Sequence, residues 1–206
     1  MKVLLVNGSA RKGCTYTALS EMCTVFEEEG IDYEIVNLGP APIRDCIGCK
    51  KCAELGKCTF DDDIVNEFAQ KAKSADAFVF GTPVYYAHPS GRLLSFLDRV
   101  FYSGSKHLAH KPAMAIASAR RAGTTASLDA VLKHCSFNQM PIVSSTYWSV
   151  VHGNSPEEVK QDAEGLQTMR NGARNMAWLL KCIEAGKKNG IEVPNNPKVE
   201  RTNFIR

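Results

Sequence analysis

The stretch 3-VLLVNGSARKGCTYTAL-19 decides the fold. Val3 to Val6 form an apolar run of strand length that stops at Asn7-Gly8-Ser9, and a helical pattern then runs over 15–29 until Gly30. The small residues in between let backbone N–H groups face one concavity. Ser9, Thr15 and Thr17 bring hydroxyls, Arg11 or Lys12 brings positive charge, and the helix N-terminus adds a partial charge of the same sign. Together these suit a phosphate group. The bland alternative is a plain strand–helix turn with a cap. The loop is neither G-x-x-x-x-G-K-[ST] nor G-x-G-x-x-G, which argues against a Walker loop and a Rossmann dinucleotide site.

Outward from this unit, short apolar runs alternate with helical patterns. Strands are expected at 3–6, 33–38, 77–80, 113–117 and 142–147, the third stopped by Gly81-Thr82-Pro83. Helices are expected at 15–29, 64–73, around Leu93, Leu97 and Phe101, at 127–137 and at about 156–185. Such alternation predicts an α/β chain, a five-stranded parallel sheet with helices on both faces. The length fits a doubly wound, flavodoxin-like sheet of order 2-1-3-4-5, whose ligand site lies beyond the carboxyl ends of the strands where the winding reverses. One domain is expected over 1–188, with a cysteine-rich insertion at 40–60 and a polar tail over 189–206.

The 206 residues carry a formal charge of +3, with no basic run or basic–aromatic stripe, so nucleic acid is not an expected partner. No apolar stretch approaches the roughly 18 residues that span a bilayer, and the opening residues break into glycine and charge too soon for a signal peptide. A cytoplasmic location is the expectation. In a reducing compartment, clustered cysteines read as metal-binding or catalytic before they read as disulfides.

Four of the eight cysteines, Cys46, Cys49, Cys52 and Cys58, fall within the segment 45-DCIGCKKCAELGKC-58. The first three have the C-x₂-C-x₂-C spacing of bacterial [4Fe–4S] sites. Lys50, Lys51 and Lys57 offset the negative charge of a thiolate-ligated cluster, and Gly48 and Gly56 permit tight turns. Zinc is a second reading, and a metal-free loop supporting a subunit contact is a third. Cys14, Cys23, Cys135 and Cys182 are expected to be buried or incidental.

Two signatures carry a family resemblance. The segment 8-GSARKGCTYTAL-19 resembles the phosphate loop of NADPH-dependent FMN reductases, and 81-GTPVYYAHPSGRLLSFLDR-99 resembles their second signature. The resemblance spans residues 1 to about 181, and the C-x₂-C-x₂-C-x₅-C segment is similar to that of the iron–sulfur flavoproteins within the family. The chain departs from the usual phosphate loop in having Cys14-Thr15-Tyr16 where Ser-Asn-Thr is typical.

The resemblance implies an FMN-dependent oxidoreductase. The phosphate would meet Ser9, Arg11, Gly13, Cys14, Thr15, Tyr16 and Thr17. Pro83, Val84, Tyr85 and Tyr86 would border the flavin ring, and Ser118, Ala119, Arg120 and Gly123 would form a third wall. Cys46, Cys49, Cys52 and Cys58 would ligate a [4Fe–4S] cluster. NADH or NADPH would be the reductant, and a quinone, a nitro or azo compound, free flavin or the cluster the acceptor. No covalent catalytic residue is expected, because the flavin carries the chemistry. His88 and His152 are candidate proton donors, although a lone loop histidine is more often structural. A homodimer or homotetramer is expected to shield the flavin edge. Two rival functions are an electron carrier serving a ferredoxin-like partner and a regulatory module that binds flavin without turnover.

Overall fold

The structure, a computed structural model, describes residues 1–196, 200 and 202. Six strands form one sheet: β1 (Lys2–Asn7), β2 (Asp32–Asn37), β3 (Ala77–Tyr85), β4 (His88–Pro89), β5 (Ala113–Ala119) and β6 (Val150–His152). The helices are α1 (Cys14–Glu28), α2 (Cys52–Leu55), α3 (Ile64–Ser74), α4 (Gly91–Gly104), α5 (Thr124–Phe137), α6 (Pro156–Val159) and α7 (Ala163–Lys188). The order is β2-β1-β3-β5-β6, all parallel, with β4 a short antiparallel arm on β3. Setting that arm aside, the expected 2-1-3-4-5 winding is the one observed.

Period-two alternation divides the core into two layers. Leu4, Val6, Phe78, Phe80, Ala113 and Ala115 face the layer packed by Phe68 of α3, Phe96 and Leu97 of α4 and Val131 of α5. Val3, Leu5, Val79, Met114 and Ile116 face the layer filled by Leu19, Met22 and Phe26 of α1 and Met169, Ala173 and Met176 of α7. All six residues of the apolar strand centres, Leu4, Leu5, Phe78, Val79, Met114 and Ala115, are at least 97% buried.

Five elements differ from the sequence expectation. Gly81-Thr82-Pro83 does not stop β3, which runs to Tyr85. β1 ends opposite Gly81, so at Thr82 and Pro83 β3 pairs with β5 alone, before β4 joins it at Val84 and Tyr85, and the missing N–H of Pro83 falls on an open side. The expected fifth strand over 142–147 touches β5 by a single bridge, Ala113 to Ile142, and the paired strand is Val150–His152. Between them the chain turns to α7: Ser144 O accepts from Asn175, Ser145 Oγ donates to Thr168 O, and Thr146 Oγ1 accepts from Asn171. Those bonds replace a ladder with β5. The long last helix is broken, with α6 ending at Val159 and α7 starting at Ala163, because the Asp162 side chain caps α7 by accepting from Gly165 N at 2.9 Å. α5 also begins at Thr124, three residues before its expected start, and α2 is a short helix within the cysteine segment. Residues 197–199, 201 and 203–206 of the expected tail lie outside the described residues.

Candidate functional site

The loop after β1 is folded around the wholly buried Asn7. Its Oδ1 accepts from Ser9 N, and its Nδ2 donates to Arg11 O and to Asn37 Oδ1. Gly8 N donates to Gly81 O at 2.8 Å, and Ser90 Oγ donates to Gly8 O at 2.8 Å, so the loop is bonded to β3 and to the start of α4. A Cβ on Gly8 would lie 2.7 Å from Gly81 O, so only glycine permits this approach.

α1 then opens with Gly13 as its N-cap, no capping side chain and no acidic residue in its first turn. α5 opens in the same way behind Gly123. The other long helices are capped by Asp63, Ser90 and Asp162. The two uncapped N-termini follow β1 and β5, which flank β3 in the sheet. Unsatisfied N–H groups and two helix dipoles therefore converge near the winding reversal between β1 and β3.

Thr15 Oγ1 and Ser118 Oγ share a buried hydrogen bond of 2.7 Å. It joins α1 to the end of β5 across β3. Gly81 makes the crossing possible, since a Cβ there would meet Thr15 Cγ2 at 2.9 Å. Thr15 is thus committed to Ser118, Thr17 Oγ1 donates to Gly13 O, and Ser9 Oγ accepts from Arg11 N. Of the hydroxyls expected to meet a phosphate, Thr17 spends its proton on Gly13 O and Thr15 is paired with Ser118, while Ser9 only accepts and keeps its O–H to donate beside the backbone N–H groups. Arg11 is exposed, and Lys12 lies over the Tyr16 ring at 5.2 Å. Cys14 Sγ donates to Gly153 O at 3.6 Å, and burial pushes its thiol up.

Pro83 to Tyr86 rise above the sheet in the β3–β4 hairpin. Tyr86 and Ala87 take positive φ of 49° and 62°, the left-handed pair that two-residue hairpin turns require. Tyr86 is fully exposed and Tyr85 more than half exposed. Gly123, at φ 89°, packs against this hairpin so closely that a Cβ would lie 2.5 Å from Ala87 Cα. The three expected walls are therefore assembled at one edge: the loop over 9–17, the hairpin over 83–86, and Ser118, Ala119, Arg120 and Gly123. His152 Nε2 meets Arg121 O at 3.1 Å and so braces the third wall, whereas His88 is exposed on the hairpin.

The cysteine segment lies elsewhere, along α4. Cys46, Cys49, Cys52 and Cys58 all line one cavity of about 90 Å³, with Arg99 and Tyr102 in its wall. Cys52 Sγ donates to Tyr102 O at 3.5 Å, and its thiol is pushed up by burial and by the neighbouring Cys49, Cys58 and Cys46. Asn66 holds the end of the segment: its Oδ1 accepts from Cys58 N and its Nδ2 donates to Cys58 O, Phe60 O and Asp61 Oδ1. Among the described residues, no three His, Cys, Asp or Glu side chains gather as a single-ion site would need. Of the four cysteines expected to be buried or incidental, Cys23 and Cys135 are buried, Cys182 is exposed, and Cys14, half-buried, is the first residue of α1.

Sequence reasoning overlooked Asn7, Gly81, Asn66 and Arg99. Gly81 read only as a strand stop, and Arg99 only as the last letter of a signature. Its position beside the apolar face of α4 was the available signal.

The family model for NADPH-dependent FMN reductase matches residues 1–155. An iron–sulfur flavoprotein of Methanocaldococcus jannaschii is 32% identical over 194 residues, covering 89% of this chain and all of the relative. An FMN-dependent NADPH-azoreductase of Staphylococcus saprophyticus is 37% identical over 103 residues, 48% of this chain and 52% of that protein. Among solved structures, an archaeal flavodoxin superposes with a TM-score of 0.60 at 13% identity, over 88% of this chain and 99% of the flavodoxin; that likeness speaks to the fold.

Proposed function

The chain belongs to the NADPH-dependent FMN reductase family, in its iron–sulfur flavoprotein branch, and from that premise we propose a flavin oxidoreductase that takes electrons from NADH or NADPH and delivers them to a small acceptor. We take residues 1–188 as the working unit and FMN as its defining cofactor. The observation that carries this reading is the pair of uncapped helix N-termini, α1 and α5, on either side of β3. A phosphate dianion suits the first and an electron-rich ring the second.

The backbone N–H groups of Cys14, Thr15 and Tyr16 would hold the phosphate, with Arg11 adding charge. Pro83, Val84, Tyr85 and Tyr86 would border the ring. Thr15 and Ser118, locked together, would hold the first and third walls at a fixed separation. The positive end of α5, behind Gly123, and Arg120 would stabilise negative charge at the ring edge. When bound, FMN accepts hydride from a nicotinamide and releases the electrons onward. The exposed Tyr85 and Tyr86 support self-association as the means of excluding water from that ring, with a homodimer or homotetramer as the working form.

The four-cysteine cavity supports a second role. Thiols spread around a cavity wall suit a polynuclear cluster, whose irons each take one thiolate, better than zinc, which draws its ligands to one point. Cys46, Cys49, Cys52 and Cys58 would hold a [4Fe–4S] cluster. Such a centre would make the cluster an acceptor and a ferredoxin-like protein a further partner. Among the described residues no helix is long and apolar enough to cross a membrane.

Protein purified without air is expected to retain FMN and to oxidise NADPH or NADH when a quinone or azo dye is added. Failure of both nicotinamides to reduce bound flavin, with reduction by ferredoxin, would replace the reductase with the carrier. A protein that retains no FMN would remove both.

A further inference from the structure

Arg99 is the largest wholly buried side chain among the described residues, 1% exposed, and it lies on α4 behind the cysteine cavity. Its five N–H donors are distributed in an unusual way. Nη1 donates to the Asp63 carboxylate and to Arg44 O (3.3 Å), and Nη2 donates to Phe60 O (3.1 Å). Arg44 precedes the four cysteines and Phe60 follows them, so one guanidinium clasps both ends of the segment. Of the two donors that remain, Nε–H is aimed at Cys58 Sγ at 3.2 Å. A guanidinium is not deprotonated in proteins, and here it is paired with the Asp63 carboxylate, so the charge on Arg99 is permanent.

A clamp that only closed the loop would need carbonyl acceptors alone. An N–H directed at a thiol sulfur does something more, because donors to ligating sulfurs tune a metal centre. We propose that Arg99 is a positioning residue of the cysteine centre: by donating Nε–H to Cys58 Sγ it fixes that ligand and raises the reduction potential of the iron–sulfur cluster held there. The inference rests on the cluster reading given above. One-electron reduction adds a negative charge to the cluster. The buried cation favours that state, and the Asp63 carboxylate, paired with Arg99 and 5% exposed, opposes it.

The two charges give opposite predictions. Protein reconstituted with iron and sulfide without air is titrated with a graded reductant while the reduced cluster is followed by electron paramagnetic resonance. Arg99→Gln is expected to move the midpoint negative, with at least a tenfold fall in the reduced-to-oxidised ratio at a given potential, which is 59 mV for one electron. Asp63→Asn is expected to move it positive, and asparagine retains the cap that Asp63 gives α3 through Val65 N. A merely structural role would lower iron content or shift both variants in one direction, and either result overturns the inference. Unchanged midpoints with full iron content also overturn it while leaving the cluster reading intact. A wild-type protein that takes up no cluster removes that reading and the inference together. Should Arg99→Gln prove insoluble, Asp63→Asn decides alone: a positive shift supports the proposal and no shift defeats it.

Discussion

Replacing Gly8 with alanine tests how tightly the base of the first loop is built. The new Cβ would stand 2.7 Å from Gly81 O and 3.0 Å from Leu93 Cβ. The first of these is backbone in the sheet, and Leu93 is wholly buried, so neither yields without cost. β1 and β3 must separate at their ends, which stretches the 2.8 Å bond from Gly8 N to Gly81 O. Overpacking of this kind costs about 1–3 kcal/mol, and a weakened buried hydrogen bond costs about 1 kcal/mol more. A loss near 3 kcal/mol lowers Tm by about 6–12 °C in a chain of this size. The same displacement moves Ser9 and the start of α1, so FMN should bind at least tenfold more weakly, about 1.4 kcal/mol. Thermal unfolding of the flavin-free protein by circular dichroism and quenching of FMN fluorescence on binding measure the two effects. Gly91→Ala is the control: no atom lies within 4 Å of its Cβ, and it should stay within about 0.5 kcal/mol of wild type. A Gly8→Ala protein melting within about 2 °C of wild type would refute the close contact on which the loop geometry rests.

Three other outcomes are expected. Thr15→Val and Ser118→Ala should each destabilise by about 1–3 kcal/mol by leaving the partner hydroxyl buried and unbonded, and the double variant should lose less than the sum; strict additivity in urea unfolding would mean the two do not interact. The Lys2 ammonium, and then Lys71, hold the Glu34 carboxyl below its ordinary 4.5, so this contribution is present above that pH and is lost as pH falls through the lowered value. Glu34→Gln should therefore be less stable than wild type at neutral pH, by under about 1 kcal/mol for partly exposed pairs, with the gap closing in acid; a gap independent of pH would contradict the ion pairs. Burial pushes the thiols of Cys23 and Cys135 to about 12. Only about one molecule in 10⁴ carries either thiolate at pH 8. Iodoacetamide followed by peptide mass spectrometry should thus modify exposed Cys182 in the folded protein, with Cys49 added once the protein is cluster-free, and spare these two, and their rapid alkylation would show the core to be open.

Much of the sheet was legible because its signal is local. Val3–Val6 and Ala113–Ala117 are uninterrupted apolar runs, and a strand buried on both faces has no other appearance. The first loop was legible for a similar reason, since strand, small residues and helix follow one another within 17 residues. What failed depended on partners distant in sequence. Pro83 reads as a stop unless β1 is known to end opposite Gly81. Ser144, Ser145 and Thr146 read as strand because nothing local shows that α7, some 25 residues later, offers them better hydrogen-bond partners. The hydroxyl of Thr15 read as a phosphate ligand because Ser118, its actual partner, lies 103 positions away.

α4 shows how both kinds of signal meet in one element. Leu93, Phe96, Leu97 and Val100 form the apolar stripe that faces the sheet, and this stripe is visible in the sequence. Arg92, Ser95 and Arg99 recur at i, i+3 and i+7 and form a second, polar stripe. Arg92 donates to Pro40 O and Ala41 O, Ser95 to Asp45, and Arg99 to Arg44 O and Phe60 O. The cysteine segment is thus bonded along one face of a helix whose N-cap, Ser90, is itself bonded to Gly8 of the first loop. Nine helical rises separate Ser90 from Arg99, about 13 Å. The distance between the proposed phosphate site and the cysteine centre is therefore set by a rigid strut rather than by a loop. An isolated metal-binding insertion would need no such bracing. The flavin and the cluster proposed above, as two redox centres exchanging electrons, would need a fixed separation, and that need would give a physical reason for a buried arginine at the far end of α4.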